Sequence, residues 1–221
     1  MKAREPQNQV QFDEYRADQN LLGPYTSHIW LSDPRHLGFL LARYKFVAKM
    51  LEGRRRVLEV GCGDGFGIPV VAQTCGYVHG IDAEPLAIAS CLDRLGRTAC
   101  SFETMDICER APVGGPYDAA YSLDVLEHIA GKLDPKFFAN ILSALTPDGV
   151  LIIGTPNATA AQYASPASEE GHINLKTHSS LRDTMSRHFL NVFMFGMNDE
   201  VVHCGYGPMC HYLLAVGAGV R

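Results

Sequence analysis

From Asp33 onward the apolar positions follow two alternating rhythms. Leu37, Leu40, Leu41, Tyr44, Val47, Ala48 and Leu51 recur at the three-and-four spacing of a helix face. Asp33-Pro34 offers that helix an N-cap and a proline at its first position, and Gly53 offers a stop. Short apolar runs follow at Val57–Val60, Tyr77–Ile81, 100–105, 117–121 and 149–154, with helical stretches over 66–75, 84–95 and 134–145. Strands that are apolar throughout are buried on both faces. Their alternation with helices predicts an α/β fold with a doubly wound, mostly parallel sheet.

Both ends depart from this rhythm. Residues 1–24 are polar and without a clear period, which predicts an N-terminal helical arm or lid over 1–32 ahead of one domain over 33–221. Residues 155–176 form a long polar connection, a length that usually serves as a lid or substrate segment. A helix over 178–188 and strands over 189–197 and 208–216 complete the chain.

Composition narrows the class. With 221 residues and 47% hydrophobic content, the chain can bury one substantial core. No run of 18 apolar residues is present, and the N-terminus lacks the apolar stretch of a signal peptide. Seven scattered cysteines without a CxxC pair suit free thiols in a reducing cytoplasm. A net charge of −5, with Arg54-Arg55-Arg56 as the only basic cluster, argues against general affinity for nucleic acid.

The most informative stretch is Glu59-Val60-Gly61-Cys62-Gly63-Asp64-Gly65, a glycine turn between the first strand and a helix. Ligands bind at that place in open α/β sheets, and glycine lets backbone approach them closely. Phe66 stands where the dinucleotide fingerprint needs glycine, and no Gly-Lys-Ser/Thr follows to make a P-loop. Acidic residues close the next strands: Asp82, then Asp106-Ile107, then Asp124 after Ser122-Leu123. An acidic residue at the second strand end is where nucleotide-binding folds meet ribose hydroxyls.

These motifs, with Tyr117 to His128 and Leu145-Thr146-Pro147-Asp148-Gly149, resemble the class I S-adenosylmethionine-dependent methyltransferases over residues 33–221. The resemblance implies a seven-stranded Rossmann-like sheet with an antiparallel C-terminal hairpin, and S-adenosylmethionine as cofactor. It implies cofactor contacts from Glu59, Gly61, Cys62, Gly63 and Gly65, from Asp82 and Ala83 at the ribose, from Asp106 and Ile107 at the adenine, and from Ser122 and Leu123. Gly171 to Lys176 and Asn198 to His203 look like the small-molecule subgroup, phosphonate O-methyltransferases among them. Expected partners are a small-molecule acceptor and a second copy of the chain, with neither nucleic acid nor membrane.

Three groups are candidates for the acceptor side. His128, after the fourth strand, is either a general base near the reacting centre or a structural histidine at a helix start. Glu127 beside it reads as a local cap or a support for its neighbour. His172, Lys176 and His178 fall in the late polar connection, which otherwise reads as a solvated face. Lys176 is the preferred contact for an anionic acceptor, a phosphonate or carboxylate. Tyr25 and His28 precede the first long helix with Trp30, as part of a lid or as anchors of the arm. His203-Cys204 and Cys210-His211 match no usual zinc spacing, so no metal is expected. The reaction expected is O-methylation of a small polar metabolite. The alternatives are methylation of a neutral sugar, phenol or amine, or cofactor binding without catalysis.

Overall fold

The computed structural model describes residues 2–17, 20–96, 99–164 and 166–221; the side chains of 15–17 and 166–168 lie outside the description. The arm expected over 1–32 contains two helices, α1 (Pro6–Ala17) and α2 (Pro24–Ser32), and its Met1, Asp18 and Gln19 fall outside the described residues. Next come α3 (His36–Met50), β1 (Val57–Val60), α4 (Ile68–Ala72), β2 (Val78–Asp82), α5 (Pro85–Arg94), β3 (Cys100–Thr104) and β4 (Tyr117–Leu123). The chain ends with α6 (Asp134–Ser143), β5 (Leu145–Pro156), α7 (Pro166–Gly171), α8 (His178–Ser186), β6 (Phe189–Asn198), β7 (Val201–His203) and β8 (Tyr212–Val220).

The strands form one sheet in the order β3-β2-β1-β4-β5-β8-β6-β7. The first five are parallel, and β8 enters antiparallel between β5 and β6, with Val150 opposite Ala218 and Pro156 opposite Tyr212. The sheet thus has eight strands where seven were expected. The additional β7 is three residues long, too short for a period of apolar positions to reveal it. The final strand also begins later than the apolar run suggested, because Gly207–Met209 forms a 3-10 turn first.

Side-chain alternation divides the core into two layers. Leu58, Val60, Ile81, Ala120, Leu151, Ile153, Leu213 and Ala215 face one side, where Phe137, Phe138 and Ile141 of α6 and Leu181 and Met185 of α8 cover them. Val57, Val78, Ala119, Tyr121, Ile152 and Leu214 face the other, under Val47, Ala48 and Leu51 of α3, Ile68 and Val71 of α4, and Ile88 of α5. With helices on both faces the sheet is doubly wound, and its switch point falls between β1 and β4. No described helix is long and apolar enough to cross a membrane.

Candidate functional site

Two cavities open at the C-terminal ends of β1, β2 and β4. The first, of 560 Å³, follows the switch point. Its lining includes Gly61, Cys62, Gly63, Asp82, Ala83, Asp106, Ile107 and Leu123, and Tyr25, Thr26 and Ile29 of α2. The second, of 500 Å³, lies beside it and is lined by Arg43, Glu127, His128, Asn157, His172 and His211 among others. Ile29, Leu40, Asp124 and His128 belong to both linings.

The glycine loop owes its shape to three residues in the left-handed region, Gly61 (φ 75°), Gly63 (φ 53°) and Gly65 (φ 72°). A Cβ on Gly61 would come within 2.1 Å of the Val125 side chain. The Tyr25 ring lies over Gly63, where a Cβ would meet it at 3.4 Å. Asp82 braces the loop from the end of β2. Its carboxylate accepts from the Gly63 amide at 2.8 Å and from the Glu84 amide at 2.8 Å.

The α2 segment is fastened above this loop. Both the amide and the hydroxyl of Thr26 donate to the Asp64 carboxylate, at 2.8 and 2.9 Å. Thr26 lies in the first turn of α2, so Asp64 satisfies one of the amides a helix start leaves free. The Arg94 guanidinium adds bonds to the Leu21 and Asp64 carbonyls.

Three expected cofactor contacts do not line the cavity. Glu59 lies beneath the loop, fully buried, where the Tyr121 hydroxyl donates to it at 2.8 Å. Burial pushes its carboxyl up to about 8, although the Tyr121 and Tyr44 hydroxyls pull it back towards the carboxylate range. Ser122 is buried and donates to the Val60 carbonyl at 2.9 Å, tying β4 to β1. Gly65 makes room for α5: a Cβ there would meet Leu95 at 2.7 Å.

Glu59 gives a pH prediction. Its proton is held more tightly folded than unfolded, so its contribution is full at acid pH and declines as pH rises towards 8. Glu59→Gln removes that decline. Relative to the variant, the parent protein should lose on the order of 3 kcal/mol between pH 5 and 8. Urea unfolding at both pH values measures it, and parallel pH profiles would rule the buried acid out.

The acceptor candidates separate. His128 and His172 come together, their rings edge-on with centroids 5.1 Å apart. The His128 Nδ1 donates to the Gly171 carbonyl at 2.9 Å. Burial and the neighbouring His128 lower the His172 pKa. Lys176 lines neither cavity. Its ammonium is held by Asp134 at 2.6 Å and Asn174 at 2.9 Å, an ion pair joining the late connection to the start of α6. His178 begins α8 with its ring against Gly207, and His28 is exposed on α2; neither lines a cavity. Trp30 is exposed and so does not anchor the arm.

Glu127, read from sequence as a local cap or a support for His128, is fully buried and lines the second cavity. Its Oε2 accepts from the Thr155 hydroxyl at 2.9 Å, while Oε1 has no partner. Burial, then the Asp124 charge, raises its carboxyl to about 8. Asp124, noted in the sequence only as the acidic end of the fourth strand, pairs with Arg43, which no sequence signal singled out. Asp124 takes φ 58°, and its two carboxylate oxygens receive Arg43 Nη1 at 2.8 and 2.7 Å.

The sheet order, the glycine loop at the switch point and the paired cavities define a nucleotide-type site with a second chamber attached. The family model described as "Methyltransferase domain" matches residues 28–192, and the chain belongs to that family. Phosphoethanolamine N-methyltransferase 1 of Triticum aestivum is 30% identical over 155 residues, 65% of this chain and 30% of that protein. The mitochondrial ubiquinone biosynthesis O-methyltransferase of Arabidopsis thaliana is 34% identical over 123 residues, 53% of this chain and 37% of its own. The chain thus spans about a third of the length of these curated relatives. Among solved structures, N-methyltransferase NodS from Bradyrhizobium japonicum WM9 in complex with S-adenosyl-L-homocysteine aligns at TM-score 0.60 and 19% identity. That alignment covers 94% of this chain and 92% of NodS.

The chain carries a methyltransferase domain of the S-adenosylmethionine-dependent fold. The first cavity suits that cofactor in chemistry as well as place. Asp82 retains lone pairs for ribose hydroxyls beyond its two amide bonds, and Ile81, Met105 and Ile107 offer apolar surface for a base. Gly61 and Gly63 bring loop backbone to the cavity wall, with the Val125 and Tyr25 side chains packed against them.

Proposed function

We propose that the chain methylates an oxygen of a small polar metabolite held in the second cavity. One observation carries this reading: the two cavities meet at Asp124 and His128, so a methyl donor in one adjoins an acceptor in the other. S-adenosylmethionine, when bound, supplies an electrophilic methyl group on a sulfonium. The protein's share is to align the acceptor, and well-oriented reactants can gain on the order of 7–11 kcal/mol. A chamber of 500 Å³ has the size of a small-molecule site.

The lining supports oxygen over an ammonium nitrogen. Asp124, the carboxylate best placed to attract a cation, is already paired with Arg43. The imidazoles of His128, His172 and His211 line the chamber with hydroxyl-matching hydrogen-bond groups, beside a Glu127 carboxyl that burial keeps towards its neutral form. The preference for an anionic acceptor depended on Lys176, whose charge is spent on Asp134. The reading therefore moves to an acceptor bearing a hydroxyl. The N-terminal segment serves as the cover, since Ile29 of α2 borders both chambers and Thr26 pins the helix to Asp64.

A pool of small metabolites incubated with methyl-labelled S-adenosylmethionine should yield a labelled methyl ether or ester. His128→Ala should then lower kcat by about 100-fold or more while cofactor affinity stays within a few-fold. An unchanged kcat, or label found only on nitrogen, would overturn the assignment.

A further inference from the structure

A cluster in the lining of the second cavity has the composition of a metal site. One ligand atom from each of Glu127, His128 and His172 lies within 4.8 Å of the other two. Two imidazoles and a carboxylate are the donor set that first-row divalent metals favour, with coordination positions left open for a substrate. An independent observation points the same way. Glu127 is fully buried beside the cavity, and its Oε1 has no hydrogen-bond partner, whereas Oε2 is satisfied by Thr155. An unpaired buried carboxylate oxygen costs free energy that a cation would recover.

The histidines are prepared in the manner of ligands. A carbonyl cannot donate, so the bond to Gly171 places the His128 proton on Nδ1 and leaves a lone pair on Nε2. Metal-ligating histidines commonly use the other ring nitrogen in this way, to fix tautomer and orientation. His172 stands edge-on at 5.1 Å. Ligand atoms on one ion with bonds near 2.1 Å sit roughly 3–4 Å apart, so a modest rotation of the exposed His128 ring closes the set.

We infer that Glu127, His128 and His172 bind one first-row divalent cation, of the manganese, iron, cobalt or zinc class, whose open positions face the acceptor chamber. The inference rests on the proposed acceptor role of that chamber for its consequence, though not for its binding test. There the cation would take the acceptor hydroxyl as a ligand, and that hydroxyl would release its proton to water more readily. Asp124, which borders both cavities, faces the same space and remains paired with Arg43.

Cobalt(II) is the probe. The full chain, stripped with a chelator and titrated without cofactor or acceptor, should develop visible d–d absorption that saturates at one equivalent. Glu127→Gln and His172→Ala should each weaken that binding at least tenfold, and His178→Ala, outside the cavity, should leave it intact. X-ray absorption at the cobalt edge of the unsubstituted protein should report two imidazoles, which keeps the test sound should a variant fold poorly. Absent saturation, binding untouched by both substitutions, or a shell of water oxygens alone would each overturn the site. Because the titration contains no acceptor, it can succeed where the labelling screen fails, and the reverse.

Discussion

Asp82→Ala should weaken S-adenosylmethionine binding by about 100-fold or more, with the fold intact. The carboxylate ends β2, where β1 and β2 are in register from Val57 opposite Val78 to Val60 opposite Ile81. Its Oδ2 takes the Gly63 amide and its Oδ1 the Glu84 amide. The same group therefore sets the loop's backbone and faces the cavity with its remaining lone pairs. Hydrogen bonds to a charged acceptor contribute about 1.5–3 kcal/mol each, and a factor of ten in affinity is about 1.4 kcal/mol. Two ribose hydroxyls lost together thus reach two decades before any slackening of the loop. Calorimetry with the cofactor product, which reacts no further, measures it. Asp82→Asn should fall between, since an amide keeps one acceptor but turns a donor towards other donors. Equal affinity in the alanine variant and the parent would remove Asp82 from the ribose.

How far the sequence carried the structure depends on the range of each signal. The parallel sheet was legible because its strands are apolar throughout, and the glycine loop because its spacing is local. Asp82, Ala83, Asp106, Ile107 and Leu123, read from strand ends, do line the first cavity. Glu59 and Ser122 sit in the same motifs yet turn away. In strands buried on both faces, period-two alternation carries no polar mark of which side meets the ligand. Lys176 shows a different limit. Its fate was set by Asp134, 42 positions earlier, which no local pattern connects to it. Glu127 was visible beside His128, but its burial was not, since a short 3-10 turn can bury one residue and expose the next.

The pair between Arg43 and Asp124 should prove the costliest polar contact to break, and unequally from its two sides. Arg43 is 9% exposed, its guanidinium lies 3.8 Å above the Tyr212 ring, and its Nε has no partner. The Asp124 side chain is 30% exposed. Removing the guanidinium leaves a carboxylate that water can reach, and Arg43→Met keeps most of the apolar packing. That loss should be about 1–2 kcal/mol. Asp124→Asn instead leaves a buried guanidinium without a counter-charge, which should cost about 3 kcal/mol. Asparagine tolerates the left-handed backbone at this position much as aspartate does, so the comparison isolates charge from strain. The double variant should cost less than the sum, because the two residues act as one unit. Urea unfolding of the four proteins completes the cycle. Equal single costs below about 1 kcal/mol would mean that the pair behaves like an exposed ion pair. The asymmetry bears on function, for Asp124 borders both cavities. By answering its charge from α3, Arg43 holds the exit of β4 in place where cofactor and acceptor chambers meet, and leaves Glu127, His128 and His172 as the groups free to engage what enters.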